Sequence, residues 1–118
     1  MAKIGIVVLA DTETHGDLGR VVNALETAKE AQEAGDEVRI IFDGAGTKWP
    51  AAFSDPEHKA KPLYDAVQKS VTGACEYCAG AFGVKEKLKK EGVPLLAEFD
   101  NHPSLRSLVV EGYQVMTF

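Results

Sequence analysis

Cysteine, tryptophan and methionine are scarce in this 118-residue chain, which has two Cys, one Trp and two Met. The two cysteines, Cys75 and Cys78, stand only three residues apart. A bridge between them would close too short a loop to constrain the unfolded chain, so a disulfide framework is excluded. Long apolar runs are also missing: Ile4 to Ala10 is too short to span a bilayer, and no small-residue cleavage site follows it. It reads as the first strand of a cytoplasmic protein. Positive charge is in deficit, with 13 Lys and Arg against 18 Asp and Glu in mixed order. Without a continuous positive field, nucleic acid is excluded as a partner. Repeats, low-complexity tracts and linkers are absent too. What remains is ordinary globular composition, 45% hydrophobic and 26% charged, sized for one domain over residues 1–118.

The run from Lys3 to Ala10 does not alternate, the pattern of a strand covered on both faces of a parallel sheet. Leu18, Val21, Val22, Leu25, Ala28 and Ala31 then recur at helical spacing, and Gly35 ends that helix. Val38 to Phe42 is a second strand. Asp43 to Gly46 is its turn, and residues 44–56 are a long connection in which Ser54 and Glu57 have capping-box spacing. Pro62 opens a helix running to about Ser70, with Leu63, Ala66 and Val67 inward. Val71 to Cys75 is a third strand and Ala79 to Lys90 one helix. Pro94 to Phe99 is a fourth strand. A last helix from Pro103, capped by Asn101 or His102, buries Leu105, Leu108 and Val109 before a strand from Tyr113 to Phe118. This alternation predicts an α/β fold with a mostly parallel sheet between helices.

In such sheets ligands bind beyond the carboxyl ends of the strands. The first three of these loops hold Asp11 to His15; Asp43, Gly44 and Trp49; and Cys75 to Cys78. Cys75 ends a strand and Cys78 opens a helix, where unpaired N–H groups favour a thiolate and lower the thiol pKa. Glu76 opposes that shift. The plain alternative is that Cys75 is a small buried hydrophobe and Cys78 a packing residue. A structural zinc site needs four ligands, and His15, His58 and His102 show no compact pairing motif. No metal and no cofactor are assigned; a shared metal between subunits is the remaining form of that idea. Gly44 to Lys48 lacks the spacing of a phosphate loop and reads as a flexible turn. His15 is a candidate base or anion donor, Asp43 a candidate binding carboxylate, and Trp49 with Phe53 a cover for the core, a subunit interface or a pocket wall. His58 and His102 read as a surface residue and a cap neighbour.

The segments Cys75-Glu76-Tyr77-Cys78-Ala79-Gly80-Ala81-Phe82-Gly83-Val84, His102-Pro103-Ser104-Leu105 and Glu111 to Phe118 resemble the DsrE/DsrF-like family of sulfur-relay proteins. The resemblance implies a three-layer α/β/α sandwich around a five-stranded sheet. It also implies a homo-oligomer, trimer or hexamer, and sulfur carried as a cysteine persulfide between donor and acceptor proteins. By its spacing from Gly83, Cys75 matches the carrying cysteine, while Phe82 stands where relay members commonly have arginine. Two functions follow: a sulfur carrier in which Cys75 takes up sulfur and Cys78 resolves it, or a non-catalytic oligomeric binding module whose crevice the cysteines only line. A thioredoxin-like reductase is disfavoured, since its C-x-x-C follows an early strand.

Overall fold

The computed structural model describes all 118 residues. Its strands are β1 (Lys3–Val8), β2 (Glu37–Phe42), β3 (Val71–Cys75), β4 (Leu95–Leu96) and β5 (Gln114–Thr117). Six helices accompany them: α1 (His15–Glu33), α2 (Lys48–Ala52), α3 (Lys61–Val67), α4 (Glu76–Ala81), α5 (Lys85–Lys90) and α6 (Leu105–Val110). The sheet order is β4-β3-β2-β1-β5 and every pairing is parallel. No helix is long and apolar enough to cross a membrane.

The unbroken apolar run of β1 reflects cover on both faces, with Ile6, Val7 and Val8 all fully buried. Ile6, Val8, Ile40 and Phe42 form the main core with Val21 and Leu25 of α1, Val67 of α3 and Leu88 of α5. On the other face Ile41 packs with Leu108 of α6 and Tyr113. Gly5 permits this approach, because a Cβ there would lie 3.1 Å from a Leu108 methyl. The expected three layers are present, one deep and one a single short helix. Thr14 starts α1 through a capping box with Asp17, and Gly35, at φ +83, ends it.

Several expected boundaries are corrected. The helix anticipated over Ala79 to Lys90 is two, because Gly83 takes φ +74 and the Val84 N–H reaches back to the Ala79 carbonyl as a Schellman-type stop. The first of the pair begins at Glu76, since the Cys75 sulfur caps it by accepting from the Cys78 N–H at 3.4 Å. Residues 44–47 are a tight 3₁₀ turn rather than a flexible one, with Thr47 fully buried and Gly46 pressed on the Val8 backbone. Ser54 bonds back to the Ala51 carbonyl instead of opening a helix with Glu57. On α3 the buried residues are Tyr64 and the expected Val67, whereas Ala66 is exposed. β4 is only two residues long, and Phe99 beyond it is 67% exposed. Ser104, not His102 or Asn101, caps α6, whose Val109 faces outward.

Candidate functional site

The strand order sets β2, β3 and β4 side by side, so the segments leaving their carboxyl ends meet at one edge of the sheet. Asp43 follows the last residue of β2, Cys75 ends β3, Cys78 lies in the first turn of α4, and His102 comes from the loop after β4. Their ligand-type atoms all lie within 4.8 Å of one another. The Cys75 sulfur is 3.2 Å from His102 Nδ1, and the Cys78 thiol donates to Asp43 Oδ1 at 3.5 Å. Asp43 is itself fixed. Its N–H donates to the Val8 carbonyl at 3.0 Å, and its Oδ1 accepts from the Gly44 N–H at 2.8 Å.

His102 is delivered by a two-residue hairpin turn. Phe99 and His102 exchange backbone hydrogen bonds of 2.9 and 2.8 Å, while Asp100 and Asn101 between them take φ +49 and +65. Aspartate and asparagine are the residues other than glycine that tolerate this left-handed backbone best. The turn is tied to α4 by the Tyr77 N–H donating to the Asn101 carbonyl at 3.0 Å, and the Tyr77 and His102 rings lie 5.0 Å apart. An open groove lined by Glu76, Tyr77, Gly80, Ala81, Lys85 and Asn101 runs beside the cluster.

The anticipated low thiol pKa of Cys75 is overturned. Burial pushes that thiol up to about 12, and the neighbouring Cys78 thiol and Asp43 carboxylate add to the rise against the opposing Cys78 N–H. The side chain is shut away from water, whereas Cys78 is half-buried. The neutral thiol donates to the Asn101 carbonyl at 3.9 Å and lies against His102 Nδ1. Alkali should therefore weaken the fold. Above pH 9.0, the ordinary value for this group, the unfolded chain releases the Cys75 proton while the native state keeps it, so stability falls as pH rises towards about 12. Between about pH 7 and about pH 10 the urea midpoint of wild type should drop, and the drop should be smaller in Cys75→Ala. An equal drop in both proteins would contradict this origin.

Of the other expected binding residues, Asp43 joins the cluster but His15 and Trp49 do not. His15 is exposed at the start of α1 and outside the group. Trp49 is 2% exposed, and its indole N–H donates to the Ala10 carbonyl at 2.9 Å, so it braces the first loop from within the core. That loop's carboxylates turn to Lys48, which stands 2.6 Å from Asp11 and 3.5 Å from Glu13. The hydrogen bond from Lys48 holds the Asp11 carboxyl below its usual range. His58 accepts from the Ala60 N–H and packs edge-on against Trp49 and Phe53. His102 is the residue that sequence reasoning passed over. Extending the strand-end rule to the fourth loop would have found it.

The all-parallel five-stranded sheet between helices defines an α/β sandwich protein, with two thiols, an imidazole and a carboxylate at its strand ends. Within that class the chain belongs to the DsrE/DsrF-like family, which it matches over residues 4–118. It is 31% identical over 96 residues to the uncharacterized protein MJ0733 of Methanocaldococcus jannaschii, covering 81% of this chain and 78% of that one. The solved structure of a conserved protein of unknown function, BT1422 of Bacteroides thetaiotaomicron, shares the fold at TM-score 0.64 and 17% identity, over 97% of this chain and 94% of that one.

Proposed function

We propose that this chain is a sulfur-relay protein that carries sulfane sulfur as a persulfide on Cys75, with Cys78 as the thiol that meets the donor. The meeting of both sulfurs with His102 and Asp43 in a DsrE/DsrF-like fold is the observation that carries this reading. The difference in burial between the two thiols supports one order of events. The half-buried Cys78 thiolate attacks the outer sulfur of a donor persulfide, the donor S–S bond breaks, and the donor leaves as a thiol. Cys75 then takes the same sulfur from Cys78, its thiol proton passing to the Cys78 sulfur as the Cys78 S–S bond breaks. Sulfur moves at one oxidation level, so no redox partner is required. An acceptor thiolate discharges the persulfide by the same exchange. Attack of Cys78 on the inner sulfur would instead release hydrosulfide and leave a Cys75 to Cys78 disulfide, the resolving reaction.

Polysulfide incubation followed by intact mass spectrometry tests the proposal. Wild type should gain one sulfur, Cys78→Ser should load about tenfold more slowly or worse, and Cys75→Ser should load but shed its sulfur faster to a small thiol. No sulfur on wild type, or undiminished loading of Cys78→Ser, would refute it.

The burial of Cys75 favours a second reading, a non-catalytic oligomeric module that binds a small ligand in the groove beside α4. Alkylation separates the two, since rapid modification of Cys78 belongs to the relay and two inert thiols to the module. A homo-oligomer, trimer or hexamer, is part of both proposals. Exposed Tyr77, Phe82, Phe99, Val109 and Val110 support it.

A further inference from the structure

We infer that Asp43, Cys75, Cys78 and His102 form a binding site for a soft divalent cation of zinc's size. Zinc bonds of about 2.3 Å to sulfur and about 2.0 Å to nitrogen or oxygen place the corners of a tetrahedral site roughly 3.3–3.8 Å apart. One edge of the cluster already has that length, Cys78 Sγ to Asp43 Oδ1 at 3.5 Å, and Cys75 Sγ to His102 Nδ1 at 3.2 Å is just short of it. The remaining separations are within 4.8 Å, so closing on a cation shortens each of them by about 1.5 Å or less. The donor set is two thiols, one imidazole and one carboxylate, and sulfur with nitrogen selects zinc-like ions over magnesium or calcium.

The framework that holds these donors is already in place. Cys75 and Cys78 have the C-x-x-C spacing of zinc-binding turns, with one cysteine at a strand end and the other in the first turn of a helix. The Gly44 N–H occupies one lone pair of Asp43 Oδ1 and orients the carboxylate, the kind of outer contact that fixes metal ligands. His102 enters from its locked hairpin turn, with the Tyr77 ring beside it. All four donors come from one chain, so the site does not need a partner subunit. On binding, both thiols lose their protons to solvent and the cation takes the two thiolates, the imidazole and the carboxylate. Its charge and the two thiolate charges cancel, leaving a single negative charge from Asp43.

This site stands independently of the sulfur-relay reading. A bound cation would engage both sulfurs and bar persulfide formation, so the two occupancies are alternatives. The test is titration of the full-length, reduced chain with cobalt(II). Wild type should develop the intense thiolate-to-cobalt charge-transfer absorption, complete at one equivalent and abolished by zinc. His102→Ala and Asp43→Asn should each weaken zinc binding by about tenfold or more, and His102→Cys should restore it. Absence of the charge-transfer band in wild type would overturn the inference, as would unchanged affinity in both His102→Ala and Asp43→Asn. Circular dichroism shows whether each variant has kept its fold; should His102→Ala unfold, the Asp43→Asn affinity decides by itself. Polysulfide loading of the metal-free chain reads the relay separately, so failure of either leaves the other result intact.

Discussion

Gly46→Ala is expected to lower the thermal midpoint by about 10–20 °C, corresponding to about 3 kcal/mol or more in a domain of this size. A Cβ on Gly46 would lie 2.0 Å from the Val8 carbonyl oxygen and 2.7 Å from its carbon, where real Cβ atoms keep beyond 3.0 Å. The obstacle is backbone in the middle of the sheet, so no side-chain rotation relieves it. The same Val8 carbonyl accepts from the Asp43 N–H, and any shift of the turn moves a member of the thiol cluster. Thermal unfolding followed by circular dichroism checks the stability loss. Loss of cobalt binding under conditions where the variant is still folded checks the link to the site. A midpoint within a few degrees of wild type would show that the 3₁₀ turn can move aside without cost.

Trp49→Ala is expected to destabilise by about 3–5 kcal/mol, and Trp49→Phe by about 1–3 kcal/mol. Alanine removes the ring that stacks on Phe53 at 5.5 Å within the main core. Phenylalanine keeps most of that contact but leaves the Ala10 carbonyl without its donor. The difference between the variants separates packing from hydrogen bonding. Denaturant unfolding by circular dichroism is the measurement, because Trp49 is the chain's one tryptophan and its fluorescence disappears with it. Equal losses in the two variants would assign the whole effect to the indole N–H.

The inner strands were legible because they write their burial into the sequence. Apart from Lys3 and Arg39, Lys3 to Val8 and Val38 to Phe42 are apolar without alternation, the pattern of strands covered on both faces. Helix limits were less legible where a single residue decides them. Gly83 at φ +74 splits the stretch after Cys75 into α4 and α5, although its apolar spacing runs on without a break. At the site, the C-x-x-C and Asp43 were visible as strand-end residues. His102 was legible by the same rule, three residues beyond the expected fourth strand, but its place before Pro103 also suits a helix cap, and only the hairpin turn brings it to Cys75. The pKa of Cys75 was misjudged for a related reason. Strand and helix ends can be read from sequence, and they favour a thiolate; the desolvation that outweighs them depends on packing from segments far along the chain.

That distance has a kinetic consequence. Cys75 meets His102 across 27 residues, and Cys78 meets Asp43 across 35. Contacts of such separation form only once the loop-closure entropy between them has been overcome. Until β2, β3 and β4 have paired, the two thiols are solvated neighbours with neither imidazole nor carboxylate at hand, and an oxidant meets them as an ordinary flexible dithiol. Refolding in the presence of oxidant therefore competes with assembly of the sheet edge, and only the completed edge turns Cys75 from an exposed group into a sheltered one.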